Sequence, residues 1–108
     1  MLKKIAIALA LGAAMSTTAL AAGTVKVGLL MSYSGPFADA GAQMQAGIDL
    51  YMKEHGDEVA GKKIVLIKKD TGGPNPDVAK RLAQELVVRD HVDVLAGFTL
   101  TPEALGAA

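Results

Sequence analysis

Three short apolar runs alternate with stretches of helical periodicity along most of this chain, and few architectures accommodate that alternation. The runs are Val25–Met31, Lys63–Lys68 and Val92–Ala96. Each contains β-branched residues and is bounded by turn signals, as a strand covered on both faces should be. Each is followed by an amphipathic segment. The resulting β-α-β-α-β-α order with short connections predicts an α/β fold, a parallel sheet in a three-layer αβα arrangement.

The helices have readable boundaries. After the break Ser32-Tyr33-Ser34-Gly35-Pro36, Asp39 is expected to cap a helix from about Ala40 to His55. Gly47 inside it suggests close packing on the sheet, and Gly56 suits its C-terminal end. Gly61 then turns the chain into the second strand. Asn75 before Pro76 is a cap followed by a pre-organised first residue, opening a helix to about Asp90. Ala79, Leu82, Ala83, Leu86 and Val87 form its apolar stripe, with Arg81 and Glu85 outside at i,i+4. Thr101-Pro102-Glu103 repeats the start signal for a third helix, within which the sequence stops at Ala108. A unit ending that way reads as a fragment of a longer, incomplete lobe.

The first 21 residues read as a signal peptide. Lys3 and Lys4 precede an apolar run, Ile5 to Ala14, and Ala19-Leu20-Ala21 is an A-x-A cleavage site. The run falls short of the roughly 20 apolar residues that span a bilayer. Cleavage near Ala21 leaves residues 22–108 as the folded part, periplasmic and with no membrane anchor. Loss of Lys3 and Lys4 takes the basic residues from 11 to 9 against 11 acidic ones, a net of −2. Scattered charges and near neutrality argue against nucleic acid as the partner. The sequence contains no cysteine, so core burial rather than disulfides must hold the fold.

Ligands of open α/β sheets sit at the carboxyl ends of the strands, where the strand order reverses. With order 2-1-3, the crevice lies between Ser32–Asp39 and Phe98–Thr101. Tyr33, Ser34 and Phe37 are candidate binding residues in one loop, and Thr99, Leu100 and Thr101 in the other. Thr101, at a helix start, either caps its own helix or donates its hydroxyl to a ligand carboxylate beside unpaired backbone N–H groups. Asp70-Thr71-Gly72 spells an aspartic-protease triplet but ends a strand of a βαβ unit, where a loop is the better reading. Glycine spacing matches neither phosphate-binding fingerprint. His55 and His91 lack companions at metal-ligand spacing. No catalytic residue, metal site or cofactor is expected.

At Tyr33-Ser34-Gly35-Pro36-Phe37-Ala38-Asp39-Ala40-Gly41 the sequence resembles the periplasmic leucine/isoleucine/valine-binding protein family, the type I solute-binding proteins of ABC importers. A G-x-K opening at Gly61 to Lys63, Asp70 at the end of the second strand and the Gly97 loop extend the likeness over nearly all of Val25 to Ala108. The resemblance implies a type I periplasmic binding protein lobe and a longer chain of two lobes closing on a ligand. It implies a membrane permease as partner. It places Thr101 at the ligand carboxylate and Tyr33, Phe37 and Ala40 along the pocket wall. Members selective for small aliphatic amino acids resemble one another in a bulky residue where Ala40 stands, so a larger or aromatic carboxylate fits here as well as an aliphatic one.

The leading expectation is thus an importer's substrate-binding component for an amino acid or related small carboxylate. A ligand-sensing ectodomain of the same fold is the alternative, and an exported enzyme a distant third, since the first three strands present no nucleophile or acid–base pair.

Overall fold

The computed structural model describes residues 23–108; the expected signal peptide lies outside them. Four strands form one sheet: β1 (Thr24–Met31), β2 (Glu58–Val59), β3 (Lys62–Asp70) and β4 (Val94–Gly97), in the order β2-β3-β1-β4. β1 runs parallel to both β3 and β4. The three expected strands therefore stand in the expected 2-1-3 order, with the first at the centre.

The sheet is not wholly parallel. β2 pairs antiparallel with the start of β3, Val59 opposite Lys62. Ala60 and Gly61 form the two-residue turn with φ of 51° and 76°, the left-handed pair that matches strand twist in a tight hairpin. Alanine at the first position hides that turn from a reading keyed to Asn-Gly or Asp-Gly.

One face of the sheet is dry. Helix α2 (Pro76–Val88) lays Leu82, Ala83 and Leu86 against Leu30, and Ile67, Val78, Leu95 and Phe98 pack around them. Full burial of a leucine such as Leu86 stabilises by roughly 1.5–3 kcal/mol. Gly28 makes the close approach possible, since a Cβ there would meet Leu86 Cδ1 at 2.9 Å. The Asn75 side chain accepts a hydrogen bond from the Val78 N–H at 3.1 Å, as a cap should. α2 ends at Val88 rather than Asp90, and Val87 is 49% exposed, so the buried stripe is narrower than expected. Glu85 pairs with Lys69 of β3 at 2.7 Å and with Arg89 at 3.8 Å rather than with Arg81. Helix α3 (Thr101–Ala107) packs on the same side, with Gly106 against the Pro76 backbone.

Helix α1 (Ala38–His55) covers the other face, completing the three layers. It starts two residues earlier than expected. A 3-10 turn at Gly35–Phe37 leads straight into it, because Pro36 supplies a helical φ. Phe37 occupies the cap position and Asp39 lies in the first turn, where its charge still favours the helix dipole. Gly47 does not pack on the sheet: a Cβ there would meet nothing within 4 Å. The close approach falls at Gly41 instead, against the loop after β1, with the Ser32 carbonyl where its Cβ would be. Beyond Gly41 the helix stands off the sheet over an open apolar groove of about 520 Å³ between Leu29, Ala96 and the helix residues Met44, Ile48 and Tyr51.

Candidate functional site

Register brings the parallel strands to a common end. Met31 lies opposite Asp70, and Leu30 opposite Gly97. The loops after β1, β3 and β4 consequently leave the sheet side by side. Three sets of hydrogen bonds then tie them.

The first set joins backbone to backbone. The Met31 carbonyl accepts from both Tyr33 and Thr71 N–H groups, at 3.1 and 3.0 Å, and the Leu30 carbonyl accepts from Phe98 N–H at 2.6 Å. Gly97 (φ 100°) and Phe98 (φ 60°) turn the chain sharply there. Left-handed φ is uncommon outside glycine, so the Phe98 backbone is held in place by its surroundings.

The second set centres on Asp70. Its Oδ1 accepts from the N–H groups of Tyr33 (2.9 Å), Ser34 (3.2 Å) and Gly72 (2.9 Å). Burial pushes this carboxyl up, but hydrogen bonds from the Ser34 side chain and from the Gly72, Tyr33 and Ser34 backbone outweigh it and hold the carboxyl below its ordinary value. The glycine of the following loop is pressed close. A Cβ on Gly35 (φ 78°) would run into the Gly72 carbonyl.

The third set is buried. Glu103, wholly inaccessible to solvent, accepts at Oε1 from the hydroxyls of Ser32 (2.6 Å) and Thr71 (2.7 Å). Its Oε2 accepts from the Leu100 N–H at 3.2 Å. Ser32, itself fully buried, donates its N–H to Thr99 Oγ1 at 2.9 Å. Sequence places Ser32 in the crevice loop, Thr71 in a loop triplet and Glu103 in a helix start, but it does not join the three. Glu103 three residues beyond the Leu100 cap position does match a capping-box spacing, but nothing local announces its two hydroxyl partners.

On this framework the expected ligand residues divide by role. Thr101 is exposed and is the first residue of α3, with Leu100 in the cap position. Its hydroxyl is therefore not the cap. Ser34 and Ala40 are exposed, and Phe37 is 38% exposed. Thr99, half-buried, accepts from Ser32, which leaves its hydroxyl hydrogen for another acceptor. Leu100 contributes a backbone N–H already bound to Glu103. The Tyr33 hydroxyl turns towards α1 and donates to Gln45 Oε1 at 2.7 Å, while Gln45 Nε2 donates to Asp49 at 2.6 Å. Burial, with the Asp49 and Asp70 charges, pushes the Tyr33 phenol up. The apolar groove under α1 lies on the sheet face and reaches the end of β4 at Gly97.

Residues 24–108 match the family model for the periplasmic binding protein. The chain belongs to the periplasmic binding protein family. A Leu/Ile/Val-binding protein homolog from Brucella abortus is 42% identical over 104 residues, which is 96% of this chain and 27% of that protein. Among solved structures, a solute-binding protein of an ABC transporter from Rhodopseudomonas palustris BisB5, in complex with 3,4-dihydroxybenzoic acid, is 55% identical with a TM-score of 0.75. That match covers 79% of this chain and 23% of the other. A second R. palustris solute-binding protein, in complex with 4-hydroxybenzoate, is 40% identical with a TM-score of 0.74, covering 78% of this chain and 23% of the other. This periplasmic binding protein chain spans about a quarter of the curated relatives it matches. Its architecture is that of part of a type I lobe, a fold shared also by a leucine-binding protein from Thermotoga maritima at 20% identity.

Proposed function

We propose that this chain opens the first lobe of the substrate-binding component of an ABC importer, working in the periplasm with an aromatic carboxylate as cargo. The observation that carries this reading is that the loops after β1 and β4 leave the sheet at a common end and lead to two exposed residues, Ala40 on the first turn of α1 and Thr101 at the start of α3. The hydroxyls of Thr101 and Thr99 would donate to the ligand carboxylate, while Ser34, whose hydroxyl donates to Asp70, would line the same crevice. Phe37 and the space above Ala40 would accept a ring. Three relatives at 55%, 40% and 31% identity were crystallised with 3,4-dihydroxybenzoic acid, 4-hydroxybenzoate and benzoate, which supports an aromatic acid over an aliphatic amino acid.

Binding in this class works by enclosure: one lobe holds the ligand, a second closes on it, and the closed form is what a membrane permease would recognise. Delivery to the periplasm rests on residues 1–21 acting as a cleaved signal peptide, so the mature protein would begin near Ala22.

The test is a thermal-shift screen of the full-length protein against benzoate, 4-hydroxybenzoate, 3,4-dihydroxybenzoate and leucine. A ligand present at 100 times its Kd stabilises the folded state by about 2.7 kcal/mol, which is a readily measured shift. Stabilisation by the benzoates and not by leucine is expected. Stabilisation by leucine alone would overturn the aromatic assignment, and no response to any of the four would overturn the carboxylate reading.

A further inference from the structure

The Glu103 carboxylate has no solvent exposure, yet it stands outside the hydrophobic cluster under α2. Its three donors come from three different loops. Ser32 follows β1, Thr71 follows β3 and Leu100 follows β4. Both carboxylate oxygens are occupied, and the two hydroxyls that share Oε1 stand 3.3 Å apart. A carboxylate in such a place is costly unless hydrogen bonds offset its lost hydration. With three donors on its two oxygens, it fixes the relative positions of those donors.

Two of the three loops carry the residues assigned above to the ligand. Ser32 sits two residues before Ser34, and Leu100 immediately precedes Thr101. We propose that Glu103 is the positioning residue of the ligand crevice: without touching the ligand, it sets the spacing between the Ser34 and Thr101 hydroxyls by holding Ser32, Thr71 and Leu100 at once. The proposal rests on the reading of these loops as the ligand site. The bond from Ser32 N–H to Thr99 Oγ1 belongs to the same device, because it ties the loop after β1 directly to the loop after β4.

The consequence separates charge from geometry. In Glu103→Gln the amide oxygen can accept from Leu100 while its NH₂ donates to the hydroxyl oxygens of Ser32 and Thr71, both of which can rotate to accept. In Glu103→Ala all three donors lose their partner.

The experiment uses the full-length protein and the variants Glu103→Ala, Glu103→Gln and Thr71→Val. Amide hydrogen exchange is followed at Tyr33, Ser34 and Thr101 against the core amides of α2, and the Kd for 4-hydroxybenzoate is measured well below the melting temperature. Glu103→Ala is expected to speed loop exchange by about tenfold more than core exchange, since local opening has its own free energy. It should also weaken binding by about tenfold, with Glu103→Gln within about threefold of wild type. Thr71→Val removes one donor and should show the same selective loosening to a smaller degree, and it carries the test if Glu103→Ala does not fold. Loop exchange no faster than core exchange, or 4-hydroxybenzoate binding unchanged in Glu103→Ala, would overturn the role. If wild type binds none of the acids yet the loops loosen selectively, the functional reading falls and the loop-setting role stands.

Discussion

The Ser32 carbonyl fills the space that a Cβ on Gly41 would need, so the loop after β1 and the second turn of α1 meet backbone to backbone. Only glycine allows that contact. Gly41→Ala must push the helix away from the loop and is expected to destabilise by about 1–3 kcal/mol, the usual cost of overpacking. Gly47→Ala, two turns further along the same helix, meets no atom within 4 Å and should stabilise by roughly 0.5–1 kcal/mol through helix propensity alone. Melting temperatures of the two full-length variants would move in opposite directions. A loss at both sites would show that Gly47 is also a packing position.

Asp70 should give the protein an acid-sensitive contribution to stability. Its folded-state carboxyl lies below the ordinary value near 3.8. Above that value both folded and unfolded carboxyls are ionised, and the contribution is complete. As pH falls the unfolded chain takes up the proton first, and the contribution is lost through the lower folded-state titration. Asp70→Asn lacks this titration. Urea denaturation at pH 7 and pH 3 should therefore find a wide stability gap between wild type and variant at pH 7 and a narrower one at pH 3.

Removal of the Thr101 hydroxyl should separate binding from folding. Thr101 is exposed and does not cap α3, so Thr101→Ala is expected to leave the melting temperature of the unliganded protein nearly unchanged. If its hydroxyl holds the carboxylate, 4-hydroxybenzoate binding weakens by about 1–3 kcal/mol, measured by titration calorimetry. An unchanged Kd would remove Thr101 from the site.

Ala40→Leu tests the shape of the crevice. The residue is exposed on the first turn of α1, where a larger side chain costs the fold little, within about 0.5 kcal/mol. Against a ring-sized ligand the same substitution should cost about 1–3 kcal/mol of affinity. Calorimetric titration with benzoate would show the weakened Kd. An unchanged Kd would place Ala40 away from the ring.

Much of the framework can be read from local chemistry. Asn75-Pro76 announces the start of α2, and the Leu82, Ala83 and Leu86 stripe announces the face it buries, because both signals act within one or two helical turns. Where a signal depends on a distant partner, the reading fails. Gly41 and Gly47 are indistinguishable in sequence; only the path of the Ser32 loop decides which must be glycine. In the Ala60-Gly61 hairpin only Gly61 favours positive φ; the left-handed Ala60 follows from the flanking strand pairing. Asp39 is a better capping residue than Phe37, but the 3-10 turn at Gly35–Phe37 starts the helix before the chain reaches it. Glu103 looks like an ordinary acidic residue in a helix's first turn. Its burial follows from Ser32 and Thr71, which tertiary structure alone brings to it.

The hydrogen bond between Ser32 and Glu103 spans 71 residues of sequence, and that separation sets an order of events. Closing a flexible loop of that length costs on the order of 4 kcal/mol from the logarithmic length dependence alone, so the contact is unfavourable until β1, β3 and β4 have already paired. On a ribosome, Ser32 waits for 71 further residues to be added before its partner exists. The three loops are accordingly gathered in one step: the Ser32 and Thr71 hydroxyls stay hydrated, and the loops unfixed, until residue 103 arrives.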